Sequence, residues 1–113
     1  MVLKAAFFIS DRIEERPIEL DDGTTEIMWF RHLPNTAFER YSIWANSADE
    51  DVVASAHARL LALGLCEPDG KPAITAAEAE RIKRPVMLRL IGALLEINGF
   101  GVKKTTAEAP GNA

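Results

Sequence analysis

The chain has 113 residues, a formal net charge of −4, 48% hydrophobic and 27% charged residues. That length and balance describe a single soluble domain able to bury its own core, and the acidity argues against nucleic acid, whose partners present a basic face. One cysteine, Cys66, cannot form an intrachain disulfide, and no run is long enough to cross a bilayer.

Met1 to Ile13 suits either a helix, through Leu3 and Phe7, or a strand, through Ala-Phe-Phe-Ile. Charged residues from Asp11 to Arg16 follow the short apolar patch at once, and no small-residue cleavage site stands behind it. A signal peptide is therefore not expected, and the protein is expected in the cytoplasm. Residues 15 to 33 read as a β-hairpin. Ile18 and Leu20 alternate with Glu19, Asp21-Asp22-Gly23 supplies the turn, and Thr25, Ile27 and Trp29 follow. Ile27, Trp29 and Arg31 would share one face and Met28, Phe30 and His32 the other. Apolar residues on both faces imply helices on one side and a different cover on the other.

From Pro34 the pattern turns helical. Three S/T-x-x-E boxes, Thr36 with Glu39, Ser47 with Glu50 and Thr75 with Glu78, mark helix starts. The second opens a helix through Val52, Val53, Ala56, Leu60 and Leu63, closed by Gly64 as a left-handed cap. After the turn Glu67-Pro68-Asp69-Gly70, Thr75 leads to Ala79 and Ile82. Pro85 opens the last helix, whose buried face is Val86-Met87, Leu90-Ile91 and Leu94-Leu95 before Asn98-Gly99. The expected fold is α+β and mostly α-helical: one domain over residues 1–100, with the hairpin packed on a body of about four helices at 35–99. Residues 101–113 lack apolar periodicity and read as a disordered tail.

No constellation carries chemistry. The turn at Glu67-Asp69-Gly70 lacks the alternating oxygen ligands of a calcium loop. His32 and His57 have no metal-ligand spacing, and Asp49-Glu50-Asp51 suits the first turn of a helix. Cys66 reads as a small buried hydrophobe. No catalytic residue, metal or cofactor is expected. The aromatic residues are the more suggestive feature. Trp29, Phe30, Tyr41 and Trp44 gather near the junction of hairpin and helices, and exposed aromatic patches mark protein contacts. Phe7, Phe8, Trp29, Phe30 and Trp44 are the candidate partner-binding residues.

The layout resembles the tail assembly chaperones of long-tailed (siphovirus-type) bacteriophages and prophages. The resemblance rests on Ile18-Glu19-Leu20-Asp21-Asp22-Gly23 and, more closely, on Leu65-Cys66-Glu67-Pro68-Asp69-Gly70-Lys71-Pro72. Thr75-Ala76-Ala77-Glu78 and the leucine-rich helix ending Glu96-Ile97-Asn98-Gly99 follow in the same order. It covers roughly Glu15 to Gly101, and its specificity lies in order and spacing. It implies a non-catalytic oligomer in the cytoplasm of the bacterial host that binds and solubilises the tape measure protein and helps recruit tail tube subunits. Such a protein is absent from the mature virion. In many such phages a programmed frameshift near the end of the gene adds a longer form whose extra domain contacts the tail tube protein, and Val102-Lys103-Lys104 is compatible with a slippery run of adenines if the codons suit. The alternative from a different class is a structural tail component, a connector or completion protein retained in the virion.

Overall fold

The computed structural model describes residues 2–100. Strand β1 (Ile13–Glu19) turns into β2 (Thr25–Arg31), and five helices follow: α1 (Asn35–Ala45), α2 (Glu50–Ala54), α3 (Ala56–Gly64), α4 (Ala76–Ala79) and α5 (Arg84–Ile97). A two-residue strand β3 (Leu65–Cys66) sits between α3 and α4. The sheet is antiparallel in the order β1-β2-β3, with Glu15 opposite Trp29, Pro17 opposite Ile27, and Trp29 opposite Cys66. The α+β, mostly helical architecture agrees with the sequence pattern. The expected disordered tail at 101–113 lies outside the described residues.

The hairpin forms where the turn chemistry places it. Gly23 takes φ of 85°, a conformation open to glycine at no steric cost. The Asp22 carboxylate accepts from the Thr24 amide at 3.0 Å and the Thr24 hydroxyl at 2.6 Å. Those bonds favour the ionised form and hold the Asp22 pKa below its ordinary value. At the far end of the sheet Gly70, at φ of 89°, closes a second tight turn. There Glu67 and Lys71 share a backbone bond of 2.8 Å and Cys66 bridges to Pro72. This turn lets β3 double back, so the segment joins the sheet instead of linking two helices as a plain loop.

Of the three helix-start boxes, one forms as read. Thr75 accepts from the Glu78 amide at 3.1 Å while the Glu78 carboxylate accepts from the Thr75 amide at 2.9 Å. The other two are displaced. Helix α1 begins a residue before Thr36: Pro34 is the cap residue, and its carbonyl accepts from the Ala37 amide, so no side chain caps it. At α2 the cap is Asp49, accepting from the Asp51 amide at 2.9 Å, while Ser47 supports Asp49 through its hydroxyl. An aspartate at this position satisfies an orphan amide as well as serine and adds a favourable charge.

The single helix expected from Ser47 to Gly64 is two helices joined at Ser55. The buried Ser55 hydroxyl donates to the Val52 carbonyl at 3.0 Å and accepts from Arg59 Nε at 2.7 Å. Such back-bonding competes with the helical ladder and bends the chain. Gly64 does end α3, but for another reason than a left-handed cap. Its φ is not among the positive values, and the next residue, Leu65, is already extended. A Cβ at Gly64 would stand 2.5 Å from Leu94 Cδ1. Glycine is there because α5 packs where a side chain would be.

One apolar cluster joins sheet and helices. Phe30, Leu60, Leu61 and Leu94 are fully buried, with Ile18, Leu65, Leu90 and Ile91 around them. Polar ties hold the hairpin to the helices. The Arg31 guanidinium donates from Nη2 and Nε to the Leu63 carbonyl at 2.6 and 3.2 Å, satisfying an orphan at the end of α3. Arg89 on α5 donates to the Glu19 carbonyl at 2.8 Å and lies 3.8 Å from Asp21.

Candidate interaction surfaces

Exposed apolar groups are the chemistry this fold presents; Ile43, Val53, Leu88 and Phe100 stand exposed on the helical side, and two further surfaces lie outside it. The first is the N-terminal arm. Residues 2–12 make one short 3-10 turn, Ala5–Phe7, and none of its side chains is buried. Phe7 is 70% and Phe8 63% exposed, with Val2, Leu3 and Ile9 also open. The arm's backbone bonds are local, from Phe7 to Lys4 and from Phe8 to Ala5. A chain segment this apolar has the composition of a core element without the contacts of one.

The second is the outer face of the sheet. Alternation along β1 and β2 sends Ile18, Met28 and Phe30 inward toward Leu90, Ile91 and Leu94 of α5. The opposite face carries Pro17, Ile27 and Trp29, with Glu15 and Glu19 beside them. Ile27 is 44% exposed, Trp29 half-buried, and Pro17, Glu15 and Glu19 exposed. The helices cover one side of the hairpin; on the other, the Gly70 turn reaches Ile13 and Cys66 is buried at that end, while Pro17 and Ile27 stay open.

The five candidate contact residues therefore part company. Phe7 and Phe8 lie on the open arm and Trp29 on the outer sheet face. Trp44 is half-buried on α1, with the Arg59 guanidinium 5.6 Å from its ring centroid, a cation–π arrangement that fixes the ring against α3. Phe30 is fully buried. It is a core residue and not a surface contact, because its register in β2 points it at α5. Tyr41, also in the aromatic group, stacks on His57 at 5.9 Å between centroids.

The remaining polar groups are tied into structure. His32 Nε2 lies 2.9 Å from Glu14 Oε2, and Arg12 stands 3.0 Å from the same oxygen. The His32 hydrogen bond is the main cause that lowers the Glu14 pKa; burial opposes it, and the hydrogen bond and charge of Arg12 add to the lowering. Burial pushes the Cys66 thiol up, which makes it a poor nucleophile. An open groove of about 550 Å³ runs between α3 and the α4–α5 region, lined by charges of both signs, Asp51, Glu80, Arg59 and Arg84. The Ser55 hydroxyl at its edge is engaged by Val52 and Arg59. Among the described residues no group of three or more His, Cys, Asp or Glu side chains converges as a metal site would.

One contact that sequence reading missed is Asn98. Its Oδ1 accepts from the Leu33 amide at 2.8 Å, and its Nδ2 donates to the Leu94 carbonyl at 2.9 Å and lies 3.4 Å from that of Arg31. The side chain thus clamps the end of α5 to the exit of the hairpin. The only trace of this in the sequence is Asn before Gly at a helix end, which by itself reads as a cap.

The class defined by these features is a small α+β fold in which a hairpin and a short third strand pack on helices, with apolar surface left over and no assembled reactive centre among the described residues. No protein-family model matches the sequence, and no curated protein matches it. Among solved structures, the chain is similar to the tail assembly chaperone of bacteriophage HK97, at a TM-score of 0.55 and 18% identity, over 86% of this chain and 92% of that one. At that identity the likeness is one of fold.

Proposed function

We propose that this chain is a phage or prophage tail assembly chaperone, a non-catalytic protein that binds and solubilises the tape measure protein and helps recruit tail tube subunits. The observation that carries this reading is the shared fold with the HK97 chaperone over nearly the whole of both chains. It is supported by the order of motifs from Leu65 to Gly99 and by the apolar surface of the arm and sheet face. A partner that is long, helical and aggregation-prone calls for apolar contacts of low sequence demand. Several copies acting together make modest contacts sufficient, so the chaperone self-associates. It works in the cytoplasm of the bacterial host and leaves before the virion is complete.

Co-expression with the long, coiled-coil-rich reading frame expected beside it tests the proposal. The expected result is that the long protein stays soluble and co-elutes with several copies of this chain. An insoluble long protein and no complex, together with this chain recovered from mature particles, would replace the chaperone by the retained tail component.

A further inference from the structure

The arm and the outer sheet face are two apolar surfaces of one chain, and neither covers the other. Their charges are complementary. Between residues 2 and 10 the only charged side chain is Lys4. The sheet face has Pro17, Ile27 and Trp29 at its centre and the free carboxylates of Glu15 and Glu19 alongside. Its basic residue, Arg31, is occupied with the Leu63 carbonyl. An apolar segment with one positive charge thus meets an apolar patch with a negative border.

We propose that the N-terminal arm of one copy docks on the outer sheet face of a second copy, with Phe7 and Phe8 against Ile27 and Trp29 and Lys4 near Glu15 or Glu19. Docking on the face is favoured over strand addition at the open edge of β1. Pro17 has no amide to donate there, and the flanking charges of Glu14, Glu15 and Arg16 discourage an added strand. The contact is head-to-tail: each copy offers an arm and a face, so association continues into a ring or a filament. A repeating array of this kind would let copies line up along an extended partner. The inference deepens the self-association within the chaperone reading. Its test contains no tape measure protein, so it succeeds or fails separately from the co-expression result.

The experiment is sedimentation velocity of the full chain over a range of concentrations, with three samples beside the wild type. One carries Phe7→Glu and Phe8→Glu, one carries Ile27→Glu, and the third is an equal mixture of the two. Wild type should grow with concentration, and each variant should associate at least about tenfold more weakly. The mixture should form a dimer and nothing larger, because it holds one intact arm and one intact face per pair. Phe7 and Phe8 are mostly exposed in the fold, so the arm variant should melt close to wild type. If Ile27→Glu lowers the melting temperature, Ile27→Ser replaces it as the face variant. A wild type that stays monomeric, a variant that associates like wild type, or a mixture that stays monomeric would overturn the proposal.

Discussion

The two ends of the described chain are built on opposite terms. At the C-terminal end, α5 finishes in a pair of backbone bonds, Gly99 to Glu96 at 3.1 Å and Phe100 to Leu95 at 2.8 Å, with Gly99 at φ of 89°. This is a Schellman closure. Asn98 adds its clamp to Leu33, and Phe100 sets its ring 4.6 Å from that of Phe38. At the N-terminal end, an apolar segment makes a single 3-10 turn and has no buried residue. Composition alone does not distinguish these ends. What differs is whether the fold offers partners, and the arm's lack of them within its own chain makes it the place to look for contacts outside it.

The sharpest way to break that comparison is to truncate one phenylalanine from each side of it. Phe30→Ala should cost about 3–5 kcal/mol, the loss of a fully buried ring and the cavity left behind. That is a large part of the stability of a small domain, so the milder Phe30→Leu gives a measurable intermediate in urea unfolding. Phe7→Ala should change stability by less than about 0.5 kcal/mol, as for a largely exposed residue outside the core. A large loss at Phe7 would mean that the arm belongs to the core in solution. Next in size is Asn98→Ala. It leaves the amide of Leu33, a buried residue, without its acceptor, and should cost about 1–3 kcal/mol. Asn98→Asp retains an acceptor for that amide while losing the donor to Leu94, and should lie between Asn98→Ala and wild type in the same unfolding series.

How far the sequence was legible follows from whether each signal is local. The Asp21-Asp22-Gly23 turn, the Thr75–Glu78 box and the start of α5 beside Pro85 are readable because each is decided within a few residues, although α4 stops at Ala79, short of Ile82. The faces of β2 were readable too, since alternation fixes them. The alternation did not say which face the helices would take, and so left Phe30 among the contact candidates. Misplaced readings share a cause. Ser47 and Thr36 are good cap residues with a glutamate three positions on, but neighbours outcompeted them: Asp49 sits closer to the start of α2, and Pro34 starts α1 early. Conformational freedom points to Gly64 as a cap, but the deciding atom is Leu94 Cδ1, thirty positions away. The Asn98 clamp to Leu33 and the joining of β3 to the sheet are also tertiary facts, invisible to a local reading.

The smallest expected effect concerns Glu14, which ties the arm's root to the hairpin exit through Arg12 and His32. Its pKa lies below the ordinary value of 4.5, with the His32 hydrogen bond as the main cause. A carboxyl held lower in the folded than in the unfolded chain stabilises fully above its unfolded value, and loses that contribution as pH falls through the folded one. Wild type should therefore melt slightly above Glu14→Gln at neutral pH, and the gap should close as the pH falls below 4.5. The acidic limb of the wild-type profile also contains Asp22 and Glu78, whose pKa values are lowered by bonds to Thr24 and Thr75. Only the difference between wild type and variant isolates Glu14. A gap that persists unchanged into acid would show that the side chain acts through packing at the base of the arm and not through its charge. The hinge between the unburied arm and the sheet would then be held sterically, and the two regions would be more tightly coupled than their burial suggests.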